Sequence, residues 1–91
     1  MAAAKQTVTI VNKRGLHARA SAKFVAAAAQ MDGCRITVAK DGASAVGGSI
    51  LGLMMLGAAK GDIVSIEVDG ENAEARLAEL VELVASGFGE D

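Results

Sequence analysis

Three segments of this chain alternate apolar and polar residues so regularly that a β-strand is the only element that fits them. In "QTVTIVN" Val8 and Ile10 fall on one side and Thr7 and Thr9 on the other; "CRITVAK" repeats the pattern through Cys34, Ile36 and Val38, and "DIVSIEVDG" through Val64, Ile66 and Val68. A period of two puts every second side chain on the same face of a pleated strand, so each segment offers one face to a core and one to water. Asp41 and Gly42 follow the second segment and suit a two-residue type I′ turn into "ASAV". Strands two and three are therefore expected to pair as a hairpin, in a mainly antiparallel sheet.

The stretches between the strands carry the helical period. Ala18 to Gln30 is rich in strong helix formers, with Ala18, Ala22, Val25 and Ala29 predicted on one stripe and Gly33 just beyond the end. "SILGLMML" opens on Ser49, a favoured N-cap, and predicts a helix of about two turns. "ENAEARLAELVELVASG" places Leu77, Leu80, Val81 and Val84 at helical spacing, Glu71 and Glu74 in the first turn and Gly87 at the C-terminal cap. The order is βαββαβα, an α/β alternation that builds an α+β two-layer sandwich. Four strands form the sheet, three helices cover one face, and Thr7, Thr9, Arg35 and Thr37 line the wet face. At 91 residues, 1–91 is expected to be a single domain.

Charge and cysteine content remove several function classes. Nine Lys and Arg against eleven Asp and Glu give a net charge of -2, without the basic footprint that nucleic-acid binding needs. The lone Cys34 can form no internal disulfide, no C-x-x-C or His-rich spacing offers a metal site, and Cys34 is expected in the core rather than in redox chemistry. "MAAAKQTVTI" lacks the apolar run of a secretory signal, and no segment approaches the ~20 apolar residues of a membrane span, so a cytoplasmic location without membrane insertion is expected.

The single histidine lies in "KRGLHARAS", at the predicted start of the first helix. As N-cap, His17 would sit beside backbone N–H groups that have no intrahelical partner and that carry about half a positive charge in sum. Gly15 lets the preceding loop bend, Leu16 can act as an apolar staple, and Arg19 adds a permanent cation. The positive helix end disfavours an imidazolium and leaves a nitrogen lone pair free to attack a phosphoryl group. A histidine that merely caps a helix is the alternative reading of the same residues.

"GLHARAS" at Gly15 to Ser21, followed by "GGSILGLMMLGAAKGD" at Gly47 to Asp62, resembles the HPr phosphocarrier family of the bacterial phosphotransferase system, over about Gln6 to Ser86. The resemblance implies the open-faced HPr-like sandwich and a phosphocarrier rather than a stand-alone enzyme. By it, His17 accepts a phosphoryl group on Nδ1 from phosphorylated Enzyme I and passes it to an IIA-type protein, and Arg19 supports the transfer by charge. The protein is expected to be a monomer that needs no metal or bound cofactor. Ala20, in the partner-binding set, stands where the family usually has proline; alanine loses some preorganisation of the first turn without breaking the helix.

Ser49 matches the position at which HPr kinase/phosphorylase regulates many family members, although serine is also a favoured N-cap in its own right. The helix after it, with Ile50, Leu51, Leu53, Met54, Met55 and Leu56, is too apolar to bury on all sides, so part of it is expected as a docking patch. The resemblance places Ile50, Leu51 and Met54 at the contact with Enzyme I and IIA proteins and turns Leu53 inward. "SGFGED" and "KQTVTIVNKRGLHAR" look more like the nitrogen-related NPr branch than the sugar-transport branch. A different class, a small acylphosphatase-type enzyme, would need an Asn to place water, and neither Asn12 nor Asn72 lies in such a context. A ligand-binding regulatory module is the other alternative.

Overall fold

Each alternating segment forms a strand, and the helices that follow fold back onto one side of the sheet. The computed structural model describes residues 3–90. The order is β1 (Ala3–Thr9), α1 (Ala18–Ala29), β2 (Arg35–Lys40), β3 (Ala43–Val46), α2 (Ile50–Met55), β4 (Ile63–Asp69) and α3 (Ala73–Ala85), closed by a 3₁₀ turn at Gly87–Gly89. The four strands lie in the order β1-β4-β2-β3, and every neighbouring pair is antiparallel. Asp41 and Gly42 both have positive φ, 51° and 85°, as a type I′ turn requires. Strand β1 starts earlier than its alternation, because Ala3 pairs with Asp69 through the backbone ladder whatever its side chain.

The core lies between the sheet and the helices. Val38, Val64, Ile66 and Val68 point up from the sheet into Phe24, Leu53, Leu80 and Val84 of the three helices, all at most 2% exposed. Each such side chain contributes about 1.5–3 kcal/mol by leaving water. On the opposite face Thr7, Thr9 and Arg35 are exposed and Thr37 is half-buried. Among the described residues, no helix is long and apolar enough to cross a membrane.

Several sequence expectations are corrected. The buried stripe of α1 is Ala20, Ser21 and Phe24, while Ala18 and Ala29 are exposed and Ala22 and Val25 half-buried. In an alanine-rich helix most stripes look alike, and the burial of the one large side chain, Phe24, sets the rotation. Cys34 precedes β2 at the rim of the sheet and is half-buried rather than central; its thiol donates to the Glu71 carbonyl at 3.3 Å. Glu71 lies outside α3, because Gly70 and Asn72 have φ of 148° and 57° and only Glu74 remains in the first turn. Gly87, with φ 71°, does follow the last turn of α3 as the left-handed residue.

Candidate functional site

The loop before α1 is built around a position that only glycine can occupy. Gly15 has φ 60°, and a Cβ placed there would lie 2.2 Å from the Ala58 carbonyl oxygen. That carbonyl instead accepts the Leu16 N–H at 3.0 Å, which ties the loop to the segment after α2. Leu16 is buried, but its helix partner is Ser21, whose hydroxyl donates to the Leu16 carbonyl at 3.1 Å. The staple is thus a hydrogen bond in place of the expected apolar pair.

His17 is the N-cap of α1, with extended backbone and no capping bond from its own ring. The Ser21 N–H reaches the His17 carbonyl at 2.9 Å, so the N–H groups of residues 18–20 have no partner in the helix and point out of its positive end. Around the ring lies an open groove of about 390 Å³ lined by Lys13, Arg14, His17, Arg19, Lys23, Gly89 and Glu90. Lys13, Arg14 and Arg19 are exposed, and together with the helix end they make an anion-attracting surface. A second groove, apolar and about 460 Å³, runs along Val25, Ile36 and Val46 and shares no residue with this one.

Sequence reasoning missed the other side of the histidine. Glu90 Oε2 lies 2.9 Å and Oε1 3.1 Å from His17 Nε2, with both side chains 16% exposed. Asn12, read in the sequence only as lying outside an acylphosphatase context, is buried. Its Nδ2 donates to the Gly15 carbonyl at 2.9 Å and to Glu90 Oε1 at 3.1 Å. Lys23 Nζ is taken up by the Phe88 carbonyl at 2.7 Å. Partial burial pushes the Glu90 carboxyl up, but hydrogen bonds from His17 and Asn12 and the charges of His17 and Lys23 outweigh it and hold the group below the usual carboxylate value. One signal was readable: Phe88, one of only two phenylalanines, stands between glycines just ahead of the acid.

The helix α2 presents what its composition predicts. The Ser49 hydroxyl accepts the Gly52 N–H at 2.9 Å, and Leu53 is fully buried while Ile50, Leu51, Met54 and Met55 are exposed by 41, 67, 39 and 76%. Met55 thus belongs to the apolar surface with the other three. Ala20 does not: it is completely buried, on the same inward face as Phe24, and no partner can reach it. Among the described residues, no three His, Cys, Asp or Glu side chains converge.

Comparison with known proteins covers nearly the whole chain. Residues 4–86 match the PTS-HPr family, described as the PTS HPr component phosphorylation site. A phosphocarrier protein HPr of Neisseria meningitidis serogroup A is 44% identical over 86 residues, 94% of this chain and 96% of that one. A phosphocarrier protein NPr of Escherichia coli K12 is 38% identical over 87 residues, 96% of this chain and 97% of that one. Among solved structures, HPr-C-His from Thermoanaerobacter tengcongensis superposes with a TM-score of 0.90 at 39% identity, over 97% of this chain and 98% of that one.

Proposed function

Because the chain belongs to the PTS-HPr family, whose members are phosphocarriers rather than stand-alone enzymes and interact with Enzyme I and IIA-type proteins, we propose that His17 is its phosphoryl-accepting residue. In this reading Nδ1 takes the group from a phosphorylated Enzyme I-type protein and yields it to an IIA-type acceptor. The carrying observation is that the chain's one histidine stands at the positive end of α1, in a groove whose other side chains include Lys13, Arg14 and Arg19. An arriving phosphoryl group meets unpaired N–H groups and fixed cations there, and its charge is stabilised without rearrangement. Arg19, exposed in the first turn, supports the group by charge.

The apolar surface of Ile50, Leu51, Met54 and Met55 is the docking patch in this reading. Small apolar patches suit complexes that form and separate quickly. A phosphate on Ser49 would stand at the edge of that patch, so modification by a kinase of the HPr kinase/phosphorylase type would weaken docking by adding charge. The protein works as a cytoplasmic monomer, with residues 1–91 acting as one domain.

The segments "SGFGED" and "KQTVTIVNKRGLHAR", by their likeness to the NPr branch, favour a regulatory relay of the nitrogen-related type. Sugar transport is the second reading, favoured by the higher identity to a protein named HPr than to one named NPr. Incubation with Enzyme I homologues of both kinds and phosphoenolpyruvate, then with candidate IIA acceptors, tests both levels. The carrier reading expects an acid-labile, base-stable phosphoprotein that His17→Ala abolishes; phosphate retained by His17→Ala overturns it. Transfer to a sugar-specific acceptor in preference to a nitrogen-type one overturns the relay.

A further inference from the structure

The acceptor role of His17 leaves the chain's final turn unused, yet that turn is closely built. Gly87 reverses the chain after α3 with φ 71°, and Phe88 holds a left-handed φ of 59° while its ring is only 2% exposed. A bulky residue adopts that backbone only where its surroundings enforce it. Lys23 from α1 fastens the Phe88 carbonyl, and Asn12 from the loop after β1 fastens Glu90 Oε1. Three independent anchors therefore bring one carboxylate to His17 Nε2, at 2.9 and 3.1 Å.

We propose that Glu90 is a positioning residue for phosphoryl transfer, one that holds the neutral His17 ring as the Nε2–H tautomer and so keeps the lone pair on Nδ1. The inference rests on the reading of His17 as acceptor. A carboxylate has no proton to give at neutral pH, so the nitrogen facing it must be the donor. A neutral imidazole carries one proton, and with that proton on Nε2 the other nitrogen is the nucleophile. In the transfer step the Nδ1 lone pair forms the N–P bond, and the bond from phosphorus to the donor breaks with its electron pair returning to the donor. No proton leaves: Nε2–H stays in place, the ring gains positive charge, and the adjacent carboxylate balances it, as the acid does for the histidine of a hydrolase triad. Lys13, Arg14 and Arg19 face the incoming phosphoryl group, whereas Glu90 is the one acid in the groove wall among the described residues.

The test combines ring ¹⁵N NMR of ¹⁵N-histidine-labelled protein at pH 8 with steady-state phosphorylation by Enzyme I, on wild type, Glu90→Gln and Glu90→Ala. Wild type should show Nε2–H as the dominant tautomer and carry its phosphate on His17. Glu90→Ala should move the ring toward the tautomer mixture of free imidazole and lower kcat about tenfold with little change in KM; Glu90→Gln, which keeps an acceptor but not the charge, should fall between. A side chain that only stabilised the fold would change the melting temperature and leave the tautomer alone. If wild type accepts phosphate on His17 while Glu90→Ala matches it in tautomer and kcat, the Glu90 inference is overturned and the acceptor reading stands. If wild type accepts none on His17, both fall.

Discussion

At the scale of single residues, the site divides its work between charge and hydrogen bonding. Arg19 is exposed in the first turn, so Arg19→Ala should leave the melting temperature unchanged, since alanine is the better helix former. The phosphorylation rate should fall, most at low ionic strength where charge is least screened; an unchanged rate there removes Arg19 from the mechanism. Glu90 gives a pH signature. Its carboxyl sits below the ordinary glutamate value of 4.5, so the folded state binds fewer protons there than the unfolded chain. The stability this contributes is present above the ordinary value and is lost as pH falls through the lowered one. In His17→Ala one hydrogen bond and one charge partner are gone, so the Glu90 carboxyl should titrate closer to the ordinary value, as ¹³C NMR of the side-chain carboxyl reads directly.

Helix α2 joins a structural role to the proposed docking role at the scale of one element. Leu53 is its inward anchor, and Leu53→Ala should destabilise the protein by about 2–5 kcal/mol in urea. At its start, the Ser49 hydroxyl satisfies the Gly52 N–H. Ser49→Ala should cost about 1 kcal/mol, while Ser49→Asp keeps an acceptor oxygen at the cap and should hold the melting temperature near wild type. The aspartate also puts charge beside Ile50 and Leu51, which in the proposed docking lose water, at a penalty of roughly 1–3 kcal/mol. Transfer from Enzyme I should then drop about tenfold to hundredfold in kcat/KM, mainly through KM. Equal transfer by Ser49→Asp would make the serine a helix cap alone.

Across the whole molecule, the turn after α3 meets the loop between β1 and α1. Strand β1 and helix α3 frame the sheet, and the turn after α3 carries Phe88 into the core and Glu90 to His17. Phe88→Ala removes a buried ring and should cost about 3–5 kcal/mol, with no relief at the backbone because the alanine Cβ meets the same left-handed penalty. It should also loosen Glu90 from Nε2, so the stability loss and a change in the His17 ring nitrogens should appear together. A wild-type ring spectrum in a destabilised Phe88→Ala would show that the Asn12 and Lys23 contacts suffice.

Alternation in "QTVTIVN", "CRITVAK" and "DIVSIEVDG", the Asp41–Gly42 turn, the Ser49 cap and the apolar excess of α2 were all legible in the sequence, because each is a local pattern whose physics acts over a few residues. The place of His17 and Arg19 at a helix start was legible on the same ground, and the roles proposed for them came from the family resemblance. The rotation of α1 was not, since alanines mark no face until Phe24 meets the sheet, and Ala20 consequently lies in the core instead of on the partner surface. Nor was the half of the site made by Asn12, Lys23 and Glu90: Glu90 stands 73 residues from His17 and 78 from Asn12, with no shared period or motif to connect them. Local periodicity determined the elements and set His17 at the start of a helix, and only the closing of the sheet by α3, which returns the turn after α3 to the start of α1, decided which carboxylate stands behind the ring.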